Sequence, residues 1–229
     1  MGKAIRAIIP PPLTEALLPI ARRTKRAVPL DVIRLRVTLI DSEPRIWRDI
    51  EIGSDATFWD LHVAIQDAMG WKDCHLHVFR VPRPGGRAVD EIGIPQDDFS
   101  DNPPEIVPGW DVPLLIYMNR KGDAAEYLYD FGDHWAHSVV VEGRDAVEPG
   151  RSYPGCTAGE RACPPEDCGG PEGYASLLRI LTDPGHEQHR EMRDWLAEVQ
   201  GPFAPEVFSP AGVKFTNAGR RLTRLLKRK

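Results

Sequence analysis

The sequence predicts an α+β fold: a mixed or antiparallel sheet with one packed helix, then a loop rich in Cys, Gly and Pro, then a helical C-terminal part. Three observations predict it. Several runs between residues 31 and 141 alternate apolar and polar residues, the period of half-buried strands. Among them lies one stretch, Phe58–Met69, whose apolar residues recur at helical spacing. From Tyr174 onward the period is helical.

The first strand is Asp31–Ile40, with Ile33, Leu35, Val37 and Leu39 on one face and Arg34, Arg36 and Thr38 on the other. Asp41–Pro44 is a turn, and Ile46–Ile52 returns as the second strand of a hairpin. Thr57 is the expected N-cap of the helix, with Asp60 in its first turn. Phe58, Leu61, Ile65, Ala68 and Met69 give that helix one buried face, and Gly70 ends it. A third strand follows at His75–Val81, where period two puts His75, His77 and Phe79 on one face. Pro82–Pro113 is dense in Pro, Gly and Asp and reads as a solvated insertion. Leu114–Met118 reads as a short apolar strand that turns at Asn119–Asp123 into Glu126–Asp130. Phe131-Gly132-Asp133 is a tight bend, and Trp135–Val141 is the next strand, with Trp135, His137, Val139 and Val141 on one side. Beyond the stretch Tyr153–Tyr174, one helix spans Tyr174–Leu181 and another His186–Val199, separated by Asp183-Pro184-Gly185. Ser209-Pro210 is the expected cap of a last helix.

With 229 residues, 41 % hydrophobic and 28 % charged, the chain reads as an ordinary globular protein. Three parts are expected: a basic, mobile arm over residues 1–29, a single α+β domain over 30–208, and a basic helix or tail over 209–229. No run reaches the length of a membrane span, and the start lacks the compact apolar core and cleavage site of a signal peptide, so the expectation is a cytoplasmic protein. Four cysteines in a chain this long do not make a disulfide scaffold. The net charge of −5 hides an asymmetry. Residues 1–29 hold six Lys/Arg and one acid, and residues 217–229 hold six Lys/Arg and none. Removing these from the chain's 29 basic and 34 acidic residues leaves 17 and 33, a middle near −16. Such a body would repel duplex phosphates, although the ends could contact nucleic acid or an acidic protein partner.

Several of these runs together resemble a known family. They are IWRDIEI (46–52), LHVAIQDAMGW (61–71), HLHVF (75–79), YLYDFGDHWAHSVVVE (127–142) and YPGCTAGERACPPEDCGGPEGY (153–174). The set is similar to the family named after the third open reading frame of a root-inducing plasmid, also found as a passenger in insertion elements. The resemblance covers roughly residues 30–208. It implies an α+β fold, a bacterial or archaeal cytoplasmic origin and a link to mobile DNA, and it brings no established activity. A resolvase-like label attached to some members finds no support in an N-terminal nucleophilic Ser amid arginines. Cys74 departs from the family pattern, where a hydroxyl or other polar residue is more frequent, which argues against it as a shared ligand.

Two constellations carry candidate chemistry. Cys156, Cys163 and Cys168 could supply thiolates to zinc, with a fourth ligand from His75, His77 or His137. Their spacing lacks a Cys-x-x-Cys knuckle, and the alternative is that they pack as small hydrophobes. Glu166 and Asp167 would raise a neighbouring thiol's pKa, which disfavours a cysteine nucleophile. Asp130, Asp133, His134 and His137 form the second constellation, from which Asp130, Asp133 and His137 are the catalytic candidates for metal binding or acid–base chemistry. The two aspartates could instead cap backbone N–H groups in the bend. His186 and His189 do not make the His-Glu-x-x-His pattern of zinc proteases, and Asp130-Phe131-Gly132 lacks every other kinase element. The leading expectation is a binding module associated with mobile elements. Its working surface lies between the His75/His77 strand, the bend at Asp130–Asp133 and the Cys-rich loop. The alternatives are a zinc-type metal-dependent enzyme and a nucleic-acid accessory protein acting through the basic ends.

Overall fold

A computed structural model describes residues 30–95 and 106–227. The expected basic arm, residues 96–105 of the insertion, and Arg228 and Lys229 lie outside the described residues.

Eight strands make one sheet: β1 (Asp31–Leu39), β2 (Trp47–Gly53), β3 (His77–Pro82), β4 (Val89–Gly93), β5 (Ile106–Pro108), β6 (Ala124–Tyr129), β7 (Trp135–Ala146) and β8 (Gly155–Glu160). Their spatial order is β5-β4-β3-β6-β7-β1-β2-β8. Every neighbouring pair is antiparallel except β4 and β5. The fold is therefore α+β with a mixed, mainly antiparallel sheet. Ile33, Leu35, Val37 and Leu39 of β1 are buried, as the alternation predicts. The outward positions carry cross-strand ion pairs instead, Arg36 with Asp49 and Arg80 with both Glu91 and Glu126.

Helix α1 (Phe58–Met69) starts on a capping box, in which Thr57 and Asp60 each bond the other's backbone N–H, and it stops at Gly70 with φ 88°. The sequence assigns it one buried face, yet Trp59, His62, Val63 and Gln66 are buried as well. His62 and Gln66 lie against the Tyr127 hydroxyl, and the C-terminal helix α4 (Ala218–Lys227) covers Trp59 and Val63. Trp59 and Val63 pack with Ala218, Leu222 and Leu225, and the Trp59 indole N–H donates to the Ala218 carbonyl at 2.9 Å. Helices α2 (Gly170–Thr182) and α3 (His189–Val199) join the main core through Tyr174, Leu177 and Leu196.

Four expectations are corrected. Pro82–Pro113 is not a solvated insertion throughout, since its described part forms β4, β5 and a 3-10 turn with Ile92, Val107 and Val112 buried. Leu114–Ile116 is a 3-10 turn rather than a strand, because Leu114 N–H bonds the Ala56 carbonyl and tucks the run beneath the start of α1. A short apolar run does not distinguish these outcomes. The Cys-rich stretch is not all loop, since its segment Gly155–Glu160 forms the edge strand β8 against β2. Ser209-Pro210 begins only one 3-10 turn. The last helix starts at Ala218, where the Asn217 side chain accepts from Arg220 N–H at 2.9 Å.

Candidate functional site

Register brings the first two parts of the site together. In the antiparallel pair β3–β6, His77 faces Tyr129. The residues just before β3 therefore lie beside those just after β6, and Asp130 N–H bonds the Leu76 carbonyl at 2.9 Å. This sets His75 next to Asp130. Asp130 has φ 58°, a left-handed conformation that Asp tolerates better than most residues. Its Oδ1 accepts from Gly132 N–H at 2.9 Å and Asp133 N–H at 3.3 Å, which builds the bend and leaves Oδ2 turned toward His75.

The Cys-rich loop supplies the third part. Arg48 pins its start. The guanidinium is 1 % exposed and donates to the carbonyls of Trp47, Ala68, Glu160 and Arg161 at 2.8–2.9 Å, with its Cζ 3.6 Å from the Phe208 ring centre. Trp71 Nε1–H donates to the Pro164 carbonyl at 2.9 Å. Asp133 Oδ2 accepts from Gly169 N–H at 3.1 Å. Gly170 sits at φ 68° against the Asp133 carbonyl, where a methyl group would collide. The loop is thus fastened on both sides of Glu166 and Asp167, by Trp71 before them and by the bend after them.

At the junction His75 Nε2 lies 3.5 Å from Asp130 Oδ2, 3.5 Å from Glu166 Oε2 and 3.1 Å from Asp167 Oδ1. The atom is buried, and none of the three contacts has hydrogen-bond alignment. Glu166 is held by Lys72 N–H at 2.6 Å and by the Tyr129 hydroxyl at 3.2 Å from each oxygen. Burial first, and the Glu166 carboxylate second, push Tyr129 above its usual pKa, so the phenol stays a donor. Tyr129 is in turn stacked on Trp71, ring centres 4.9 Å apart.

Among the described residues, His75, Asp130 and Asp167 are the group whose potential ligand atoms all lie within 4.8 Å of one another. The distances from His75 suit a shared ion. Donors about 2.1 Å from one metal and 3.1–3.5 Å apart subtend about 95–113°, within a few degrees of octahedral or tetrahedral angles.

The other candidates are placed elsewhere. His77 is buried and stacked on His62, ring centres 3.5 Å apart, so the bend at His75 sends the two histidines to different surroundings. His137 is fully buried beneath Tyr127. Asp133 holds Gly169. Cys156 is on β8, half-buried; Cys163 is in the core, where burial pushes its thiol up to about 12. Burial pushes Cys168 up to about 12 also, with Asp133 adding to it. No cysteine belongs to a three-ligand group among the described residues. Glu166 and Asp167 are site residues that sequence reasoning treats only as neighbours of the cysteines. Their signal was present as an acidic pair between Pro164-Pro165 and Gly169-Gly170.

The cluster opens onto a cleft of about 690 Å³ whose walls include Lys72, Cys74, Phe131, Arg221 and Arg224. No described helix is long and apolar enough to cross a membrane.

Comparison with known proteins places these elements in one family. The family model described as plasmid pRiA4b ORF-3-like protein matches residues 31–212. An uncharacterized protein, y4hQ, of Sinorhizobium fredii is 34 % identical over 199 residues, covering 86 % of this chain and 97 % of that protein. The crystal structure of MM3350 from Methanosarcina mazei Go1, a protein of unknown function, superposes with a TM-score of 0.72 at 38 % identity, covering 81 % of this chain and 98 % of that one. The matched span contains every residue of the His75 cluster, and the chain belongs to the plasmid pRiA4b ORF-3-like protein family.

Proposed function

We propose that this domain is a binding module for a divalent cation, held by His75, Asp130 and Asp167 with Glu166 beside them. The observation that carries the reading is the buried His75 Nε2, directed at three carboxylates and hydrogen-bonded to none. A cation would satisfy the imidazole lone pair and offset the converging carboxylates together. One imidazole with carboxylates and no thiolate suits a hard to borderline first-row ion such as Mn²⁺, Fe²⁺ or Zn²⁺. The cysteines are left to shape the loop. A cytoplasmic setting is supported by four unpaired cysteines, and an association with mobile DNA by the plasmid in the family's description.

A second reading, a metal-dependent enzyme, is favoured by the cleft beside the cluster. Its acid–base residues would come from the cleft wall rather than from His137, which is buried away from it. Nucleic-acid binding through the C-terminal helix has less support, because Arg221 is already paired with Asp67 and Asp73.

The test is metal analysis of the full chain purified without added metal, followed by calorimetric titration with Mn²⁺ and Zn²⁺. One ion per chain is expected. His75→Ala should weaken binding more than about tenfold, since even outer partners of a metal ligand are worth that much. Cys163→Ser should leave it unchanged. Absence of saturable binding, or equal binding by His75→Ala, would overturn the reading.

A further inference from the structure

The cleft beside the cation cluster has a charge pattern of its own. Among its lining groups Asp73 and Arg221 are paired with each other, at 3.4 Å, and Asp130 belongs to the cluster. Two cationic side chains are left over, Lys72 and Arg224. Among the described residues the Lys72 ammonium reaches a backbone carbonyl, that of Val199, and no carboxylate. Arg224 is exposed and makes no ion pair among the described residues, although it lies one turn from the doubly paired Arg221 on the same helix face. With a divalent ion set against Asp130, Glu166 and Asp167, the cleft would hold two cationic poles, the ion and the Arg224 guanidinium. Beside these charges stand exposed apolar side chains, Phe131 at 45 % and Leu76 at 37 % exposure. The volume, about 690 Å³, is that of a small-molecule site.

We propose that the cleft takes an organic phosphate, its phosphoryl oxygens bridging the bound cation and the Arg224 guanidinium and its organic body lying against Phe131 and Leu76. The proposal rests on the cation reading above. A phosphate monoester suits two cationic poles at once because it is tetrahedral and carries three terminal oxygens. Arg224 adds the planar fork that matches two of them. A free inorganic phosphate would use the same poles and leave the apolar wall uncovered.

The experiment titrates the full chain with phenyl phosphate, inorganic phosphate and benzoate, each with and without saturating Mn²⁺. Phenyl phosphate should bind the Mn²⁺-loaded protein at least tenfold more tightly than the metal-free protein, and more tightly than benzoate. Arg224→Gln should weaken phenyl phosphate at least tenfold while leaving Mn²⁺ affinity unchanged. Phe131→Ala should bring phenyl phosphate down to the affinity of inorganic phosphate. Normal Mn²⁺ binding without phenyl phosphate binding overturns the phosphate proposal alone. So does equal binding by Arg224→Gln, or equal binding of benzoate. Failure of Mn²⁺ itself to bind removes both the cation reading and this one.

Discussion

The His137 imidazole lies buried beneath Tyr127, its Nδ1 3.2 Å from the Tyr127 carbonyl oxygen and its ring centre 5.3 Å from that of Tyr127. The carbonyl can only accept, so Nδ1 carries the proton and Nε2 is left buried without a hydrogen-bond partner among the described residues. Tyr127 also anchors a second histidine. Its hydroxyl accepts from Gln66 Nε2–H at 3.0 Å and donates to His62 Nδ1 at 2.8 Å, so that His62 Nε2–H is directed to Asp73 at 2.9 Å. Two of the three buried histidines are thus held by Tyr127, which sits opposite Phe79 and His137 in the sheet.

This arrangement predicts acid sensitivity. Burial, only partly opposed by its backbone hydrogen bonds, lowers His137 from 6.5 to about 4, and burial lowers His77 in the same direction. The unfolded chain therefore takes up protons below about pH 6.5 that the fold refuses. Stability is fully present above that pH and falls as pH drops toward 4, by up to about 1.4 kcal/mol per unit for each histidine. Urea midpoints measured from pH 7.5 to 5 should fall, and His137→Gln should reduce the slope. A flat profile would contradict the burial argument.

Asp130 has two roles that two substitutions separate. Asn keeps an oxygen for Gly132 N–H and Asp133 N–H and tolerates φ near 58°, so Asp130→Asn should preserve stability to within about 0.5 kcal/mol while weakening Mn²⁺ binding. Ala lacks the acceptor and resists the left-handed backbone, so Asp130→Ala should cost about 1–3 kcal/mol as well. Thermal unfolding and calorimetry on both variants check the split.

Arg48 joins strand β2, the end of α1 and the start of the Cys-rich loop through four carbonyls. Arg48→Met would leave these buried acceptors without a donor and should destabilise the protein by about 3 kcal/mol or more. Arg48→Lys should rescue only part, because an ammonium cannot span the fork. Urea denaturation measures the loss. Cation affinity should fall with it, since Glu166 and Asp167 depend on where this loop lies.

Trp59 fixes the C-terminal helix through its indole N–H and its contact with Ala218. Trp59→Phe removes the donor and should cost about 1 kcal/mol locally. Amide exchange in α4 should accelerate and trypsin should cut sooner at Arg220 or Arg224, with the sheet amides unaffected. Unchanged exchange in α4 would mean that the Arg221 pairs to Asp67 and Asp73 hold the helix alone.

Much of the fold is written at short range. The alternation Ile33, Leu35, Val37, Leu39 specifies a strand whatever else the chain does, and Thr57, Asp60 and Gly70 mark both ends of α1. The misread segments are those where a distant partner decides. Leu114–Ile116 is apolar in either conformation and becomes a 3-10 turn because Ala56 takes its N–H. Trp59 and Val63 of α1 are buried because α4 folds back over them from more than 150 positions away.

The same division runs through the site. The sequence alone determined the family, the α+β class and the three runs that converge, because each depends on residue types within a few positions of one another. Only the tertiary structure decided which histidine meets which carboxylate. The His77–Tyr129 register places His75 against Asp130, and Arg48 and Trp71 bring Glu166 and Asp167 to the same point. Alternation along a strand cannot encode that meeting. It is set by strand pairing and by hydrogen bonds between residues 52 to 112 positions apart, and those form only when the sheet has closed.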